Sequence, residues 1–332
     1  MELTQVKTAG LDRILTLELV RVTERAAVAA ARWRGRGDEK AADQAAVDAM
    51  RTELNNLAIK GTVVIGEGER DEAPMLYIGE MVGTGHGPLV DIALDPLEGT
   101  TICAKNLPNS LAVVAIAEGG TLLHAPDVYM DKIAVGPSYP PGIVDLDRKA
   151  ADNIAALAKA KGVRIEQITA CILDRPRHAK LIEEVRGTGA AVRLIGDGDV
   201  AGIIDVTDPE LTGIDIYLGI GGAPEGVLAA AALCCTGGQM QGRLVTQSDE
   251  QKARASRMGI DDFDRKYTHL EMVRGEVLFA ATGVTDGNML NGVRYARDGR
   301  ITTETLVMRS SKGTIRFIKA IHRDDEKFAT AS

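Results

Sequence analysis

A dense group of acidic residues follows a short apolar run near residue 95. The apolar run 89–94 ends in Asp95-Pro96, and Glu98-Gly99-Thr100 follows at once. Carboxylates crowded at the end of a buried strand repel one another unless a cation neutralises them. The pattern therefore predicts a metal site made of oxygen ligands, with the Thr100 hydroxyl beside it. Asp91, between two apolar neighbours, is expected to face the other way.

Strands that end in an acid next to glycine recur along the chain. The β-branched run 62–65 precedes Gly66-Glu67, and Asp197-Gly198-Asp199 follows the predicted strand 191–195. Glycine lets the backbone bend sharply at such strand ends. Taken alone, Glu67 belongs to a solvated turn, and Asp43 is an acid in the first turn of a predicted helix, favoured there by the helix dipole. As members of a recurring pattern, both are predicted to be ligands.

Composition restricts the class of protein. The 332 residues carry a net charge of −8, from 39 basic and 47 acidic residues. A general nucleic-acid binder usually has a basic surplus, and the aromatic residues that would stack on bases make up only 3%. No apolar run is long enough to span a bilayer, and no signal-peptide core is found. The four cysteines form no CxxC motif, so a cytoplasmic protein without nucleic-acid or membrane partners is expected.

The secondary-structure elements that must position the acids show two different patterns along the chain. Helical spacing of apolar residues is predicted over residues 11–33, and a second helix over residues 42–57. Beyond residue 165, predicted strands and helices alternate, which is typical of an α/β layer with a partly parallel sheet. We predict an α/β fold with two subdomains, residues 1–165 and 166–332, that both contribute to the acidic site.

Several long, non-periodic motifs resemble one enzyme family. Asp95-Pro96-Leu97-Glu98-Gly99-Thr100 resembles the Asp-Pro-x-Asp-Gly-Thr element of the lithium-sensitive, metal-dependent sugar-phosphatase superfamily, with Glu98 replacing the second Asp. With three further motifs, the sequence is similar to the class II fructose-1,6-bisphosphatases over essentially its whole length. Those motifs are Gly66-Glu67-Gly68-Glu69, Asp71-Glu72-Ala73-Pro74-Met75-Leu76-Tyr77 and Gly221-Gly222-Ala223-Pro224-Glu225-Gly226. The resemblance implies a layered α-β-α-β-α sandwich.

The resemblance also implies a metal centre that uses Mn²⁺ or Mg²⁺. Such ions take carboxylate, carbonyl and water oxygens, and a pair of them can support in-line displacement at phosphate. Zinc is disfavoured because no Cys or His has zinc-site spacing. Carried over by motif, the expected metal ligands are Asp43, Glu67, Asp95, Glu98 and, from the C-terminal subdomain, Glu225.

Thr100 matches the catalytic threonine of the superfamily. Water is the expected nucleophile, because no base stands beside Thr100 in the sequence to activate its hydroxyl. The hydroxyl would orient this water and pass its proton toward a neighbouring acid. The alternative is a hydroxyl that only bonds a backbone group in the turn.

The substrate contacts implied by the resemblance come from both subdomains. Two arginines suit phosphate through planar donors, although alone they would be a surface pair at a helix start. The aspartates can accept hydrogen bonds from sugar hydroxyls, and the helix after Gly222 adds backbone N–H groups. The expected contacts are Glu98, Gly99, Thr100, Tyr129, Arg175, Pro176, Arg177, Asp197, Gly198, Asp199 and Gly222.

The implied activity is hydrolysis of the 1-phosphate of fructose 1,6-bisphosphate, giving fructose 6-phosphate and phosphate, in gluconeogenesis or the Calvin cycle. Sedoheptulose-1,7-bisphosphatase activity is the alternative, alone or together with the first. A non-catalytic metal or nucleotide sensor on the same fold would be expected to have lost a metal ligand or Thr100, and both are present. A homo-oligomer, either a dimer or a tetramer, is expected.

Overall fold

The computed structural model describes residue 11 and residues 13–68 and 74–323, so Glu69 and residues 71–73 of the quoted motifs lie outside the described residues. Over this part of the chain, no helix is long and apolar enough to cross a bilayer. The α-helices described are α1 (Arg13–Ala31), α2 (Glu39–Leu54), α3 (Thr100–Lys105), α4 (Ala150–Lys161), α5 (Ala179–Gly187), α6 (Asp199–Ile204), α7 (Pro209–Thr212), α8 (Ala223–Thr236), α9 (Asp249–Arg257) and α10 (His269–Met272).

The strands form two mixed sheets. The strands described are β1 (Lys60–Ile65), β2 (Met81–Val82), β3 (Leu89–Glu98), β4 (Leu111–Glu118), β5 (Tyr129–Val135), β6 (Thr169–Leu173), β7 (Ala191–Ile195), β8 (Ile216–Gly222), β9 (Gln239–Val245), β10 (Tyr267–Thr268), β11 (Val277–Gly283), β12 (Arg294–Tyr295), β13 (Arg300–Arg309) and β14 (Thr314–Arg323).

The first sheet has the order β12-β13-β11-β4-β3-β1-β2, with β14 paired along β13. The second has the order β10-β9-β5-β8-β6-β7, in which β6 lies parallel to both β7 and β8. The prediction of a partly parallel sheet in the C-terminal half is therefore confirmed.

Successive side chains along a strand point to opposite faces of the sheet. The apolar core to which each side chain belongs therefore shows which helices cover that face. Val114 of β4 packs in a core with residues of α1 and α2, whereas Ala115 packs in a central core with α8 and α6. Met130 of β5 belongs to the same central core, whereas Ile133 packs in a third core with α4 and α5. The layers thus alternate helix, sheet, helix, sheet and helix, which confirms the predicted α-β-α-β-α sandwich.

Both sheets are shared between the two halves of the chain. β5 precedes residue 165 but lies in the second sheet, and β11 to β14 follow residue 165 but lie in the first. The chain therefore changes sheets between β4 and β5 and again between β10 and β11. The predicted division into residues 1–165 and 166–332 does not coincide with these changes, and it stays a prediction.

Asp91 lies at the opposite end of β3 from Glu98. The Asp91 side chain is buried, and its Oδ2 accepts hydrogen bonds from the backbone N–H groups of Thr121 at 2.9 Å and Leu122 at 3.1 Å. Asp91 therefore holds the turn after β4. The expectation that Asp91 faces away from the metal site agrees with this position.

Substitution Asp91→Ala is expected to destabilise the fold without touching the site. It leaves two backbone N–H groups without their acceptor, which should lower the free energy of unfolding by about 2 to 4 kcal/mol. Urea denaturation followed by circular dichroism measures the change. Asp91→Asn, which keeps one acceptor oxygen, is the matched control and should lose less. An unchanged unfolding midpoint in Asp91→Ala would contradict the structural role.

Candidate active site

A register shift at the end of β3 brings Asp95 and Glu98 to one place. In a regular strand, residues three apart point to opposite faces of the sheet. The pairing of β3 with β4 shifts between Asp95 and Glu98, and Pro96 between them has no N–H to donate to the ladder. The Leu97 N–H donates instead to Oδ1 of Asp95 at 3.0 Å. The irregularity lets both carboxylates face the same cavity.

Three helices begin close to the Asp95, Glu98 and Glu225 carboxylates, each after a glycine. α3 follows Gly99, α6 follows Gly198 and α8 follows Gly222, and none of the three has a side-chain cap. Gly99 and Gly198 have φ angles of 77° and 79°, which residues with a Cβ rarely adopt. The free N–H groups of helix starts favour negative charge nearby. The Val200 N–H, in the first turn of α6, donates to Oε1 of Glu98 at 3.0 Å.

Asp95, Glu98 and Glu225 form the centre of the site. One oxygen of each lies within 4.8 Å of the others. The Oε2 atom of Glu225 is buried and has no hydrogen-bond partner among the described residues. A buried carboxylate oxygen without a donor is costly, and a bound cation would satisfy it. The three side chains therefore fit a divalent metal ion.

Glu67 lines the same cavity, which has a volume of about 400 Å³. Its backbone N–H donates to the carbonyl oxygen of Leu76 at 3.1 Å. A Cβ on the preceding Gly66 would lie 2.1 Å from that oxygen, so only glycine fits there. The close approach of residues 66 and 76 thus fixes the backbone from which Glu67 extends.

Asp43 also lines this cavity, but it does not lie where the sequence placed it. The helix predicted over residues 42–57 is α2, which begins at Glu39 and ends at Leu54. The first-turn position predicted for Asp43 is therefore wrong. The capping acid is Asp38, whose side chain accepts a hydrogen bond from the Ala41 N–H at 3.0 Å. Asp43 comes one turn later and is not needed as a cap.

Burial and mutual repulsion raise the pKa values of the clustered carboxyl groups. Burial, followed by the charge of Asp95, raises the pKa of Glu67 to about 9. Burial, followed by the charge of Asp199, raises the pKa of Glu225 to about 7. Burial also raises the pKa of Asp95 and of Glu98. A cation would counter the repulsion, and an all-oxygen donor set suits hard ions such as Mn²⁺ and Mg²⁺.

Thr100 is the first residue of α3 and lines the cavity beside Asp95 and Glu98. Among the described residues, none forms a hydrogen bond with its hydroxyl group. The structure therefore gives no support to the alternative that the hydroxyl only bonds the turn. Its catalytic role remains a prediction.

A second cavity of about 340 Å³ adjoins the first, and the predicted substrate residues that line it are Glu98, Tyr129, Arg175, Arg177, Asp197, Asp199 and Gly222. Gly99 and Thr100 line the first cavity instead, and Pro176 and Gly198 line neither. The guanidinium of Arg177 lies 4.7 Å from the centre of the Tyr129 ring and donates to the Ile220 carbonyl oxygen at 2.8 and 3.1 Å. Arg175 approaches Asp197 with 3.8 Å between Nη2 and Oδ1. Two cations beside an aromatic ring suit a phosphate group.

Asp199 is the most constrained acid of this second cavity. Its Oδ2 atom accepts from the Nζ group of Lys132, and the Tyr217 hydroxyl lies 3.4 Å from the same oxygen. Lys132 is fully buried and also donates to the Gly222 carbonyl oxygen at 2.7 Å. A Cβ on Gly221 would lie 1.8 Å from Oδ2, so the glycine leaves room for the pair.

The two cavities share four residues, and one of these was not predicted. Glu98, Asp197 and Glu225 line both cavities, and so does Asp127. Asp127 lies two residues before Tyr129, which was predicted as a substrate contact. Lys132 was also missed. It lies two residues after Met130 and so on the same, buried face of β5. A lysine at such a position was the signal that could have identified it.

The chain is similar to known proteins over nearly its whole length. The family described as bacterial fructose-1,6-bisphosphatase, glpX-encoded, matches residues 13–322. The chain belongs to this family. It is 45% identical over 340 residues to the D-fructose 1,6-bisphosphatase class 2/sedoheptulose 1,7-bisphosphatase of Synechococcus sp. (strain JA-3-3Ab), covering 95% of this chain and 97% of the relative.

A protein with the same name from Crocosphaera subtropica (strain ATCC 51142 / BH68) is 43% identical over 341 residues. That comparison covers 95% of this chain and 98% of the relative. The resemblance read from the motifs is thereby confirmed for nearly the whole chain. The roles of the individual site residues stay predictions.

Substitution Gly222→Ala is expected to move Glu225 out of the carboxylate cluster. A Cβ at residue 222 would lie 1.8 Å from Oε2 of Glu225, which is the mobile end of its side chain. The protein should fold, but its affinity for Mn²⁺ should fall about 10- to 100-fold because one ligand is displaced. Isothermal titration calorimetry measures this affinity.

The matched control is Gly187→Ala at the end of α5, where a Cβ would meet nothing within 4 Å. This control should bind Mn²⁺ like the unchanged protein. Equal Mn²⁺ affinity in Gly222→Ala would mean that Glu225 is not a ligand, or that it tolerates the displacement.

Proposed function

We propose that this chain removes the 1-phosphate of fructose 1,6-bisphosphate and releases fructose 6-phosphate and phosphate, with Mn²⁺ or Mg²⁺ as its metal. The observation that carries the proposal is the buried Oε2 of Glu225, which has no hydrogen-bond partner among the described residues. It lies within a carboxylate cluster beside a cavity lined by two arginines. Membership of the family and the names of the relatives support it.

Five carboxylates would hold the metal. When bound, a divalent cation supplies a Lewis acid for the phosphoryl oxygens and an activated water. Oxygen-only donors support Mn²⁺ or Mg²⁺ rather than zinc, which is usually bound through Cys or His. The proposed ligands are Asp43, Glu67, Asp95, Glu98 and Glu225, all of which line one cavity.

Thr100 is the proposed catalytic residue. Its hydroxyl, at the start of α3, orients the attacking water and passes the proton toward a neighbouring carboxylate such as Asp95. Free N–H groups in the first turn of α3 suit the charge that develops on the phosphoryl oxygens. No nucleophilic role for the threonine itself is needed.

The second cavity would hold the other end of the substrate. Arg175 and Arg177 pair with the second phosphate, and Tyr129 lies against the substrate as it does against Arg177. Asp197 and Asp199 accept hydrogen bonds from sugar hydroxyls. The remaining contacts come from the backbone around Gly99, Pro176, Gly198 and Gly222 and from the carboxylate of Glu98.

Sedoheptulose 1,7-bisphosphate is a second candidate substrate. The relatives are named for both activities. The second cavity is also open at one side, where 39% of the Tyr129 surface is exposed, which leaves room for a sugar with one more carbon. A place in gluconeogenesis or the Calvin cycle follows from whichever bisphosphate is preferred.

The central test is a substrate panel with purified protein. In Mn²⁺ or Mg²⁺, phosphate should be released from fructose 1,6-bisphosphate, and chelation of the metal should abolish the release. Including sedoheptulose 1,7-bisphosphate and a sugar monophosphate ranks the substrates by kcat/KM. A protein that binds Mn²⁺ but hydrolyses none of them would instead be a sensor.

Thr100→Ala is the matched variant for this panel. It should bind Mn²⁺ and substrate with little change, yet lower kcat by about 100-fold or more, because a group that acts on the reacting water is removed. Thr100→Ser keeps the hydroxyl and should retain most of the activity. Full activity in Thr100→Ala would remove the residue from the mechanism.

A cytoplasmic homo-oligomer is the proposed form of the protein. All four cysteines are free, which suits a reducing compartment. The edge strand β14 exposes Ile315, Phe317 and Ile321, with exposed fractions of 45%, 51% and 63%, and such edges commonly pair with another chain. Light scattering should give the molar mass of a dimer or a tetramer, and the mass of one chain would contradict this.

A further inference from the structure

Lys132 carries a positive charge in the middle of the molecule. Its side chain has no exposed surface, and it points from β5 into the central layer that also contains Met130. A Cβ on Gly226 of α8 would lie 2.6 Å from Sδ of Met130 and 3.4 Å from Cδ of Lys132, so glycine allows the helix to pack closely on this face of β5. Complete burial removes the water that hydrates an ammonium group, and contacts within the protein must offset this cost in free energy.

Lys132 and Tyr217 both contact the same oxygen of Asp199. Both Lys132 and Tyr217 approach Oδ2, and none of the described residues donates to Oδ1. Asp199 lines the second cavity. Oδ1 is not among the buried side-chain atoms of the described residues that have no hydrogen-bond partner, so it must be accessible from the cavity. Oδ1 is therefore the oxygen that remains available to a ligand in the cavity.

Stability alone is a poor explanation for this pair. A buried ion pair often contributes no more to stability than well-packed apolar residues would. The pair also lies in the wall of the second cavity, through Asp199, so it is placed where it can act on a bound ligand.

We propose that Lys132 is a positioning residue, which fixes the Asp199 carboxylate so that Oδ1 accepts a hydrogen bond from a hydroxyl group of the sugar. The bond from Lys132 to the Gly222 carbonyl oxygen anchors this arrangement at the start of α8. The inference rests on the proposed function, which supplies a sugar bisphosphate as the ligand.

The test is a double-mutant cycle with Lys132→Met, Asp199→Asn and the combined variant, assayed on fructose 1,6-bisphosphate with saturating Mn²⁺. Each single substitution should lower kcat/KM about 10- to 100-fold, mainly through a higher KM. The combined variant should be no worse than Asp199→Asn alone, because Lys132 then has nothing to position. The Mn²⁺ concentration at half-maximal activity should not change.

Two further variants keep the test decisive. Tyr217→Phe removes the other donor near Oδ2. As a single substitution it should raise KM, but it should not raise KM further when it is combined with Asp199→Asn. This comparison tests the proposal even if Lys132→Met fails to fold. Lys180→Met, at an exposed lysine of α5, is the matched control and should have no effect.

The outcomes separate this inference from the proposed function. Independent losses in the cycle, a loss confined to kcat, or a higher Mn²⁺ requirement would overturn the positioning role while the bisphosphatase activity stands. If the unchanged protein releases no phosphate from fructose 1,6-bisphosphate, the proposed function fails and the positioning role fails with it.

Discussion

Repulsion among the carboxylates of Asp95, Glu98 and Glu225 is the constraint on which the arrangement of the site depends. Like charges this close in a poorly hydrated place oppose folding, as their raised pKa values indicate. Three apolar cores, one on each side of the site and one between the sheets, supply the stability that the cluster lacks. The proposed metal site therefore consists of acids placed where a cation can relieve their repulsion.

Glu98 joins the two sheets at this point. Its backbone carbonyl oxygen accepts from the Ser110 hydroxyl at 3.0 Å within the first sheet, and its side chain accepts from Val200 in the helix that follows β7 of the second. One residue, which lines both cavities, thus connects the first sheet to α6. The longer reach of Glu98, compared with the aspartate of the wider superfamily, suits a link of this kind.

Much of the site could be predicted from the sequence, because its residues lie in motifs that periodic structure does not explain. The alternation of strands and helices predicted a partly parallel sheet, and the family resemblance implied the layers. Neither predicted the exchange of β5 and β11 to β14 between sheets, since pairing between distant segments leaves no local signal. Alternation along β3 would have separated Asp95 from Glu98, and only the shifted register unites them. Lys132 was missed because a lone lysine usually indicates a solvent-exposed position.

The exchange of strands between sheets has a consequence for synthesis of the chain. β4 pairs on one side with β3, but its other neighbour, β11, comprises residues 277–283. While the ribosome makes the intervening segments, the apolar edge of β4 stays without its partner, and neither sheet is complete. Long-range pairing of this kind slows folding and leaves strand edges open to wrong partners. The nascent chain of this protein therefore keeps the β4 edge unpaired until most of its length has been translated.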